Sequence, residues 1–140
     1  MTSKMIIVDA NILMRAVLGV RVLELIMEFT PTTQFFAPAI CFDDARYYLP
    51  SILTKRGVDV SLAMRVLSEL EKTFQIIQED ELHSLEKIAR TRLRQRDEND
   101  WPILAAALLL NCPIWTEDQD FFGVGVATWT TANVRLFLEG

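Results

Sequence analysis

The residues of this chain that could do chemistry are aspartates placed where predicted strands end and predicted helices begin. Asp9 directly follows an apolar predicted strand, and Asp118 closely follows another. Asp44 lies near the start of a predicted helix, and Asp100 lies at the start of a different one. Ligands of an open parallel sheet bind beyond the carboxyl ends of the strands. We therefore expect these carboxylates to converge at that edge of the sheet.

Converging carboxylates predict a bound cation. They cannot all stay ionised without one, because each negative charge raises the pKa of its neighbours. The set offers oxygen ligands without His or Cys, which favours Mg²⁺ or Mn²⁺ over Zn²⁺. Such an ion lowers the pKa of bound water and neutralises charge on a phosphodiester transition state. The residue types therefore indicate metal-dependent phosphodiester hydrolysis.

Each aspartate also has a purely structural interpretation. Asp100 could cap the helix that starts at the next residue, and Asp118 could be an ordinary turn residue. The adjacent Asp43 and Asp44 could form an acidic helix N-terminus that the helix dipole favours. Asp9 is harder to explain in this way, because a carboxylate directly after a buried strand needs a partner or a cation.

Strand and helix patterns alternate along the chain. We expect strands over residues 4–9, 34–37, 74–78, 113–116 and 124–129. Helices fill the intervals between the first four strands, and residues 79–96 are predicted to be one long charged helix. The interval before the last strand is instead an acidic turn, 117–120. The alternation predicts an α/β fold with a mainly parallel sheet covered by helices on both faces. The length of 140 residues fits a single domain over residues 1–140.

The overall charge limits how nucleic acid could be bound. The net charge of −5 and the pI near 4.9 have the wrong sign for binding by bulk charge, so any contact must be local. Basic residues concentrate in one segment, where Lys87, Arg90 and Arg94 share one helical face and are the candidate RNA contacts. Arg92 and Arg96 form a second pair, four residues apart, that could serve instead.

Other residues point away from several classes of protein. The longest apolar run, 103–110, is shorter than the ~20 residues that cross a bilayer, and charges interrupt the N-terminal apolar stretch. We therefore expect a cytoplasmic protein. Cys41 and Cys112 lack zinc-like spacing and are expected to be buried free thiols. The lone histidine, His83, gives no support to Ser-His-Asp catalysis.

The motifs together resemble those of the PIN domain family, the fold of VapC-type toxins and related metal-dependent ribonucleases. IIVDANIL is similar to the family's opening motif, which places Asp9 as a metal ligand and Asn11 as a supporting residue. APAICFDDARYYL resembles the segment in which the family usually carries a Glu, and Asp44 falls at that position. Asp is one methylene shorter than Glu, and Asp43 is adjacent, so either carboxylate could be the site residue.

The stretch RDENDWPILAAALLLNCPIWTEDQDFF is the strongest match to the family. The resemblance places Asp100 and Asp118 in the metal site, with Thr116, Asp120 and Asp97 as close supports. It spans essentially the whole chain and implies a three-layer α/β/α sandwich that uses Mg²⁺ or Mn²⁺ and acts on RNA. It also implies an assembly that is often a homodimer and, for a toxin, an antitoxin protein as partner.

Three other classes of protein stay open as alternatives. A haloacid-dehalogenase-type phosphatase typically has Asp two positions after the strand-end Asp, where this chain has Asn11. That phosphatase and the receiver domain both use a lysine late in the chain, and no lysine follows Lys87. A PIN-like domain that binds RNA or protein without cutting is the third, because Asp44 is a shortened side chain.

Overall fold

Residues 4–140 are described by a computed structural model, and they form a five-stranded parallel sheet in the order β3-β2-β1-β4-β5. The strands are β1 Lys4–Val8, β2 Thr33–Pro38, β3 Gln75–Ile77, β4 Ile114–Trp115 and β5 Thr128–Trp129. The predicted α/β fold is confirmed, and the sheet is parallel throughout. Its first strand lies at the centre.

Helices make most of the crossovers that parallel strands require. The helices are α1 Ala10–Leu18, α2 Arg21–Phe29, α3 Ala39–Lys55, α4 Val60–Thr73, α5 Glu86–Arg92, α6 Trp101–Leu110 and α7 Val134–Glu139. The connection from β4 to β5 is instead a loop that contains one short 3-10 turn, Gln119–Phe121. Within residues 4–140, no helix is both long enough and apolar enough to cross a membrane.

The sheet is covered on both faces. Consecutive residues of a strand point to opposite faces, and Ile6 and Ile7 of β1 are both completely buried. Helix α6 is apolar along its whole length, and its residues from Trp101 to Ala107 are buried. A side chain that directly follows β1 therefore starts from the interior of the protein, which is the position of Asp9.

The predicted long helix over residues 79–96 is wrong. The segment begins as a 3-10 helix, Glu79–Leu85, continues as α5, Glu86–Arg92, and then turns. Its buried positions, Leu82, Ala89 and Leu93, keep helical spacing, which explains the prediction. The chain leaves the helix at Leu93, whose carbonyl accepts a bond from the Arg96 N–H at 2.8 Å.

Candidate metal centre

Asp9 is fixed in the interior by two hydrogen bonds. Its side chain is the N-cap of α1, since Oδ1 accepts from the backbone N–H of Ile12 at 3.0 Å. Its Oδ2 accepts from the hydroxyl of Thr116, which directly follows β4. Val8 and Trp115 pair in register on the adjacent strands. The pairing of β1 with β4 therefore places Asp9 beside Thr116 at the carboxyl edge of the sheet.

A chain of hydrogen bonds continues from Thr116 into the turn after β4. The Thr116 hydroxyl accepts from the backbone N–H of Asp118 at 2.9 Å. The Asp118 Oδ1 accepts from the N–H of Asp120 at 2.9 Å, and the Asp120 Oδ2 accepts from the N–H of Asp97 at 3.4 Å. The positions of Asp9, Asp118 and Asp120 thus depend on one another.

Asp100 joins this group from the start of α6. Its side chain makes no capping hydrogen bond, so the structure gives no support to the capping interpretation. One carboxylate oxygen from each of Asp100, Asp118 and Asp120 lies within 4.8 Å of the others. The sequence predicted only a supporting role for Asp120, and the structure puts it in this triad. The spacing of two between Asp118 and Asp120 in one turn is the signal that could have found it.

All four predicted catalytic aspartates line one cleft of about 160 Å³. Its walls are formed by Asp9, Asp44, Asp100 and Asp118 together with Ala10, Asn11, Met14, Tyr48, Ile103 and Phe121. We call it the acidic cleft. The supporting residue Asn11 also lies there. Tyr48, which sequence reasoning did not single out, lies one helical turn after Asp44 in α3.

Four predicted supporting residues are not among the walls of the acidic cleft. Thr116 and Asp120 lie beside it, hydrogen-bonded to Asp9 and Asp118. Asp43 is exposed, whereas Asp44 is half-buried, because neighbouring residues of a helix point in different directions. The structure therefore places Asp44, rather than Asp43, in the cleft. The Asp97 carboxylate accepts from the N–H of Asn99 at 3.0 Å and caps the short 3-10 turn Glu98–Asp100.

The pKa values of Asp9 and Asp100 are raised mainly by burial, and neighbouring carboxylates add to the effect. Burial raises the pKa of Asp9 to about 6, although hydrogen bonds from Thr116 and Ile12 partly offset the effect. The pKa of Asp100 rises to about 7, first through burial and then through the carboxylates of Asp97 and Asp118. A bound cation would relieve this repulsion and hold both groups ionised.

The donor set fits a divalent metal ion. Every candidate ligand is a carboxylate oxygen, the type that Mg²⁺ and Mn²⁺ prefer. Asp100, Asp118 and Asp120 would hold the ion, and each Asp9 oxygen can accept a further interaction besides its present hydrogen bond.

Cys41 is a buried free thiol whose pKa is raised by burial and then by Asp9, so it stays protonated. Cys112 is also free and is half-buried rather than buried.

Two arginines of the basic segment hold the loop that carries the acidic residues. The Arg96 guanidinium donates to the Asp120 carbonyl at 3.0 Å, and the Arg92 guanidinium donates to the Val124 carbonyl at 3.0 Å. Gly125 allows this approach, since a Cβ there would lie 2.5 Å from an Arg92 nitrogen. Arg92 and Arg96, the alternative RNA contacts of the sequence analysis, are therefore engaged in fixing the loop.

One surface hollow of about 420 Å³ is lined by the three residues that the sequence predicts to contact RNA, Lys87, Arg90 and Arg94. The Arg90 guanidinium is already paired with Glu86 at 2.8 Å and lies 5.6 Å from the centre of the Trp101 ring. Lys87 and Arg94 are exposed. They are consequently better placed than Arg90 to meet a phosphate.

Comparison with known proteins identifies the family. Residues 7–139 match the PIN domain, so the chain belongs to the PIN domain family. PIN domains are generally nucleases, and the family uses divalent metals. A comparison with curated protein sequences gives no significant match.

Solved structures show the same fold at low sequence identity. VapBC2 from Rickettsia felis, bound to a promoter DNA fragment, is 14% identical with a TM-score of 0.69, over 90% of this chain and 98% of that chain. A protein from Pyrobaculum aerophilum is 15% identical with a TM-score of 0.73, over 97% and 90%. A toxin–antitoxin complex from Klebsiella pneumoniae is 21% identical with a TM-score of 0.58, over 89% and 96%.

Proposed function

We propose that this protein is a metal-dependent endoribonuclease that hydrolyses phosphodiester bonds in RNA. The observation that carries the proposal is the acidic cleft, where aspartates from four separate segments meet at the carboxyl edge of the sheet. Asp9 and Asp118 also cap helical turns, but a capping role does not account for Asp100, whose side chain makes no capping hydrogen bond. Membership of the PIN domain family supports the same activity.

The aspartates in and beside the acidic cleft have distinct roles in this proposal. Asp100, Asp118 and Asp120 would hold Mg²⁺ or Mn²⁺. When bound, the ion would lower the pKa of water and neutralise charge on the phosphodiester. Asp9, buried and fixed by Thr116, orients the site and adds negative charge to it. Asp44 enters from α3 and accepts a hydrogen bond from the attacking water.

The substrate needs positive charge close to an acidic site. Lys87 and Arg94 supply it from the exposed face of the basic segment. Since the net charge is −5, these contacts act locally and their contribution weakens with salt.

The neighbouring structures suggest what the protein assembles with. VapBC2 and the Klebsiella pneumoniae protein are toxin–antitoxin complexes. We accordingly propose that this chain is a cytoplasmic toxin with an antitoxin protein as partner, and that it forms a homodimer.

A second candidate function is binding of RNA or protein without cleavage. The short side chain of Asp44, where the family usually has Glu, favours that alternative.

A cleavage assay tests the proposal. Mixed-sequence single-stranded RNA, labelled at one end, is incubated with the purified protein in Mg²⁺, in Mn²⁺ and in EDTA. We expect internal cuts with either metal and none in EDTA. The variant Asp118→Asn should lose activity by roughly 100-fold or more, since even a ligand's supporting partner is worth ~10–100-fold. The matched control is Asp43→Asn, which changes an exposed carboxylate outside the cleft and should stay active.

Each result has a defined meaning. Cleavage that persists in EDTA, or full activity of Asp118→Asn, contradicts the metal-dependent mechanism. RNA binding without any cleavage in Mg²⁺ or Mn²⁺ supports the second function instead.

A further inference from the structure

A second groove opens from the acidic cleft between α1 and α3. It has a volume of about 590 Å³, within the range of ligand-binding clefts. Its walls are Asn11, Met14, Arg15, Leu18, Ile52, Glu117, Asp118 and Gln119. Three of these residues, Asn11, Met14 and Asp118, also line the acidic cleft. The two spaces therefore lie side by side, and the groove offers a path for a chain that is cut in the cleft.

Helix α3 presents a change of chemistry along this path. Asp44, Tyr48 and Ile52 are spaced four residues apart, so they lie along one side of the helix. Asp44 and Tyr48 line the acidic cleft, and Ile52 lines the groove. An aromatic ring thus stands between the carboxylates and an apolar surface. This arrangement suits a ligand that has charged and flat apolar parts next to each other.

The Tyr48 side chain is available to such a ligand. Tyr48 is 52% exposed although it borders the cleft, and its ring contacts the exposed ring of Tyr47 edge-to-face at 4.9 Å between centroids. An exposed aromatic face beside a nucleic-acid site can stack an unpaired base. A base within a duplex has both faces covered and could not do so.

The groove also offers one cation. Arg15 is exposed, and its guanidinium forms no ion pair with any residue from 4 to 140. The carboxylate of Glu117, in the same wall, instead accepts a hydrogen bond from the backbone N–H of Thr131 at 2.7 Å. Arg15 is therefore free to meet a phosphate that follows the one in the acidic cleft.

We propose that Tyr48 stacks the unpaired base next to the scissile phosphate, while Arg15 contacts the following phosphate in the α1–α3 groove. The proposal rests on the proposed function and deepens it, because it names the side chains that would hold an unpaired base and a phosphate of the RNA. Tyr48 would then bind substrate without taking part in the chemistry.

The test uses a binding probe and a protein that cannot cut it. The probe is a short single-stranded oligoribonucleotide with a fluorescent adenine analogue at its centre, and a second probe has an abasic residue there. Binding is measured in Mg²⁺ with the Asp118→Asn protein. Adding Tyr48→Leu should weaken binding of the first probe by about 5-fold to about 150-fold, the range of base–aromatic stacking. Adding Tyr48→Phe, which keeps the ring, should leave its binding unchanged.

Matched controls separate stacking from general damage. Tyr47→Leu removes the more exposed neighbouring ring, which does not line the cleft, and should change affinity little. The abasic probe should bind weakly to every variant and lose nothing further with Tyr48→Leu. Arg15→Gln should weaken binding of both probes and reduce its salt dependence.

The outcomes distinguish this inference from the proposed function. Equal binding of the first probe with Tyr48→Leu overturns the inference, even if the unmodified protein cuts RNA. Equal loss with Tyr48→Phe also overturns it, because the ring is then irrelevant. If Tyr48→Leu disturbs only the binding of an antitoxin peptide, the groove is a protein-binding site and the inference is wrong. If neither probe binds and the unmodified protein does not cut RNA, the proposed function is wrong, and the inference that rests on it is wrong as well.

Discussion

Replacing Asp9 with Asn tests whether this carboxylate is kept for function at the expense of stability. The amide keeps the shape of the side chain and can still accept from the Ile12 N–H. The Thr116 hydroxyl can turn to accept from the new NH₂ group, since a hydroxyl is both donor and acceptor. Burial raises the pKa of Asp9 from 3.8 to about 6, which corresponds to a penalty of about 3 kcal/mol at pH 7. We expect the metal-free Asp9→Asn protein to be more stable by up to about that amount.

The pH dependence of the difference follows from the direction of the shift. Below the unfolded-state pKa of 3.8, Asp9 is protonated in both states and the penalty is absent. The folded state binds more protons between 3.8 and about 6, so the stability of the unmodified protein falls as the pH rises through this window. The penalty is constant above it. The two proteins should therefore differ by only about 0.5 kcal/mol at pH 4.

Urea unfolding in EDTA from pH 4 to pH 7 measures this difference. A matched control is Asp59→Asn, which changes an exposed N-cap that accepts from the Leu62 N–H at 3.2 Å. The control should change little at any pH, because Asp59 is not buried. Replacing EDTA with Mn²⁺ should stabilise the unmodified protein more than Asp9→Asn, because the variant keeps Asp100, Asp118 and Asp120 but loses a supporting carboxylate. An Asp9→Asn protein that is less stable at pH 7, or a difference that stays the same at pH 4, would refute the reasoning.

Three further predictions concern Gly125, Gly57 and the basic segment. Gly125→Ala should lower the free energy of unfolding by about 2 kcal/mol in urea, because Gly125 has φ +94° and the Arg92 guanidinium lies against it. Gly57→Ala, at φ +68° in open space, should cost only about 1 kcal/mol. Reversing Lys87 and Arg94 to Glu should weaken RNA binding and reduce the slope of log affinity against log salt by about 2, with unchanged thermal stability.

The sequence was sufficient to predict the sheet and to single out the buried carboxylate of Asp9. Apolar strands alternate with helices along the chain, and this pattern is typical of α/β folds with a parallel sheet. Asp9 was recognisable because a carboxylate after three apolar residues is costly without a partner. Its partner, the Thr116 hydroxyl, depends on the pairing of β1 with β4, which are distant in sequence.

Local patterns misled where tertiary contacts decide the backbone. Residues 79–96 have helical spacing of apolar side chains, yet α5 ends at Arg92. The guanidiniums of Arg92 and Arg96 reach across to the loop after β4. The same contacts engage Arg92 and Arg96, which charge alone could not distinguish from Arg94. The choice between Asp43 and Asp44 likewise depends on the rotation of α3 relative to the sheet.

Binding of Mn²⁺, followed by electron paramagnetic resonance, tests the central claim that these aspartates form a metal site. At pH 8 the unmodified protein should bind Mn²⁺, and Asp100→Asn should weaken binding by about 10-fold or more, while Asp43→Asn has no effect. Affinity should also fall as the pH drops below about 7, because the raised pKa of Asp100 makes a proton compete with the ion. Absence of binding, or equal affinity for Asp100→Asn and Asp43→Asn, would contradict the account.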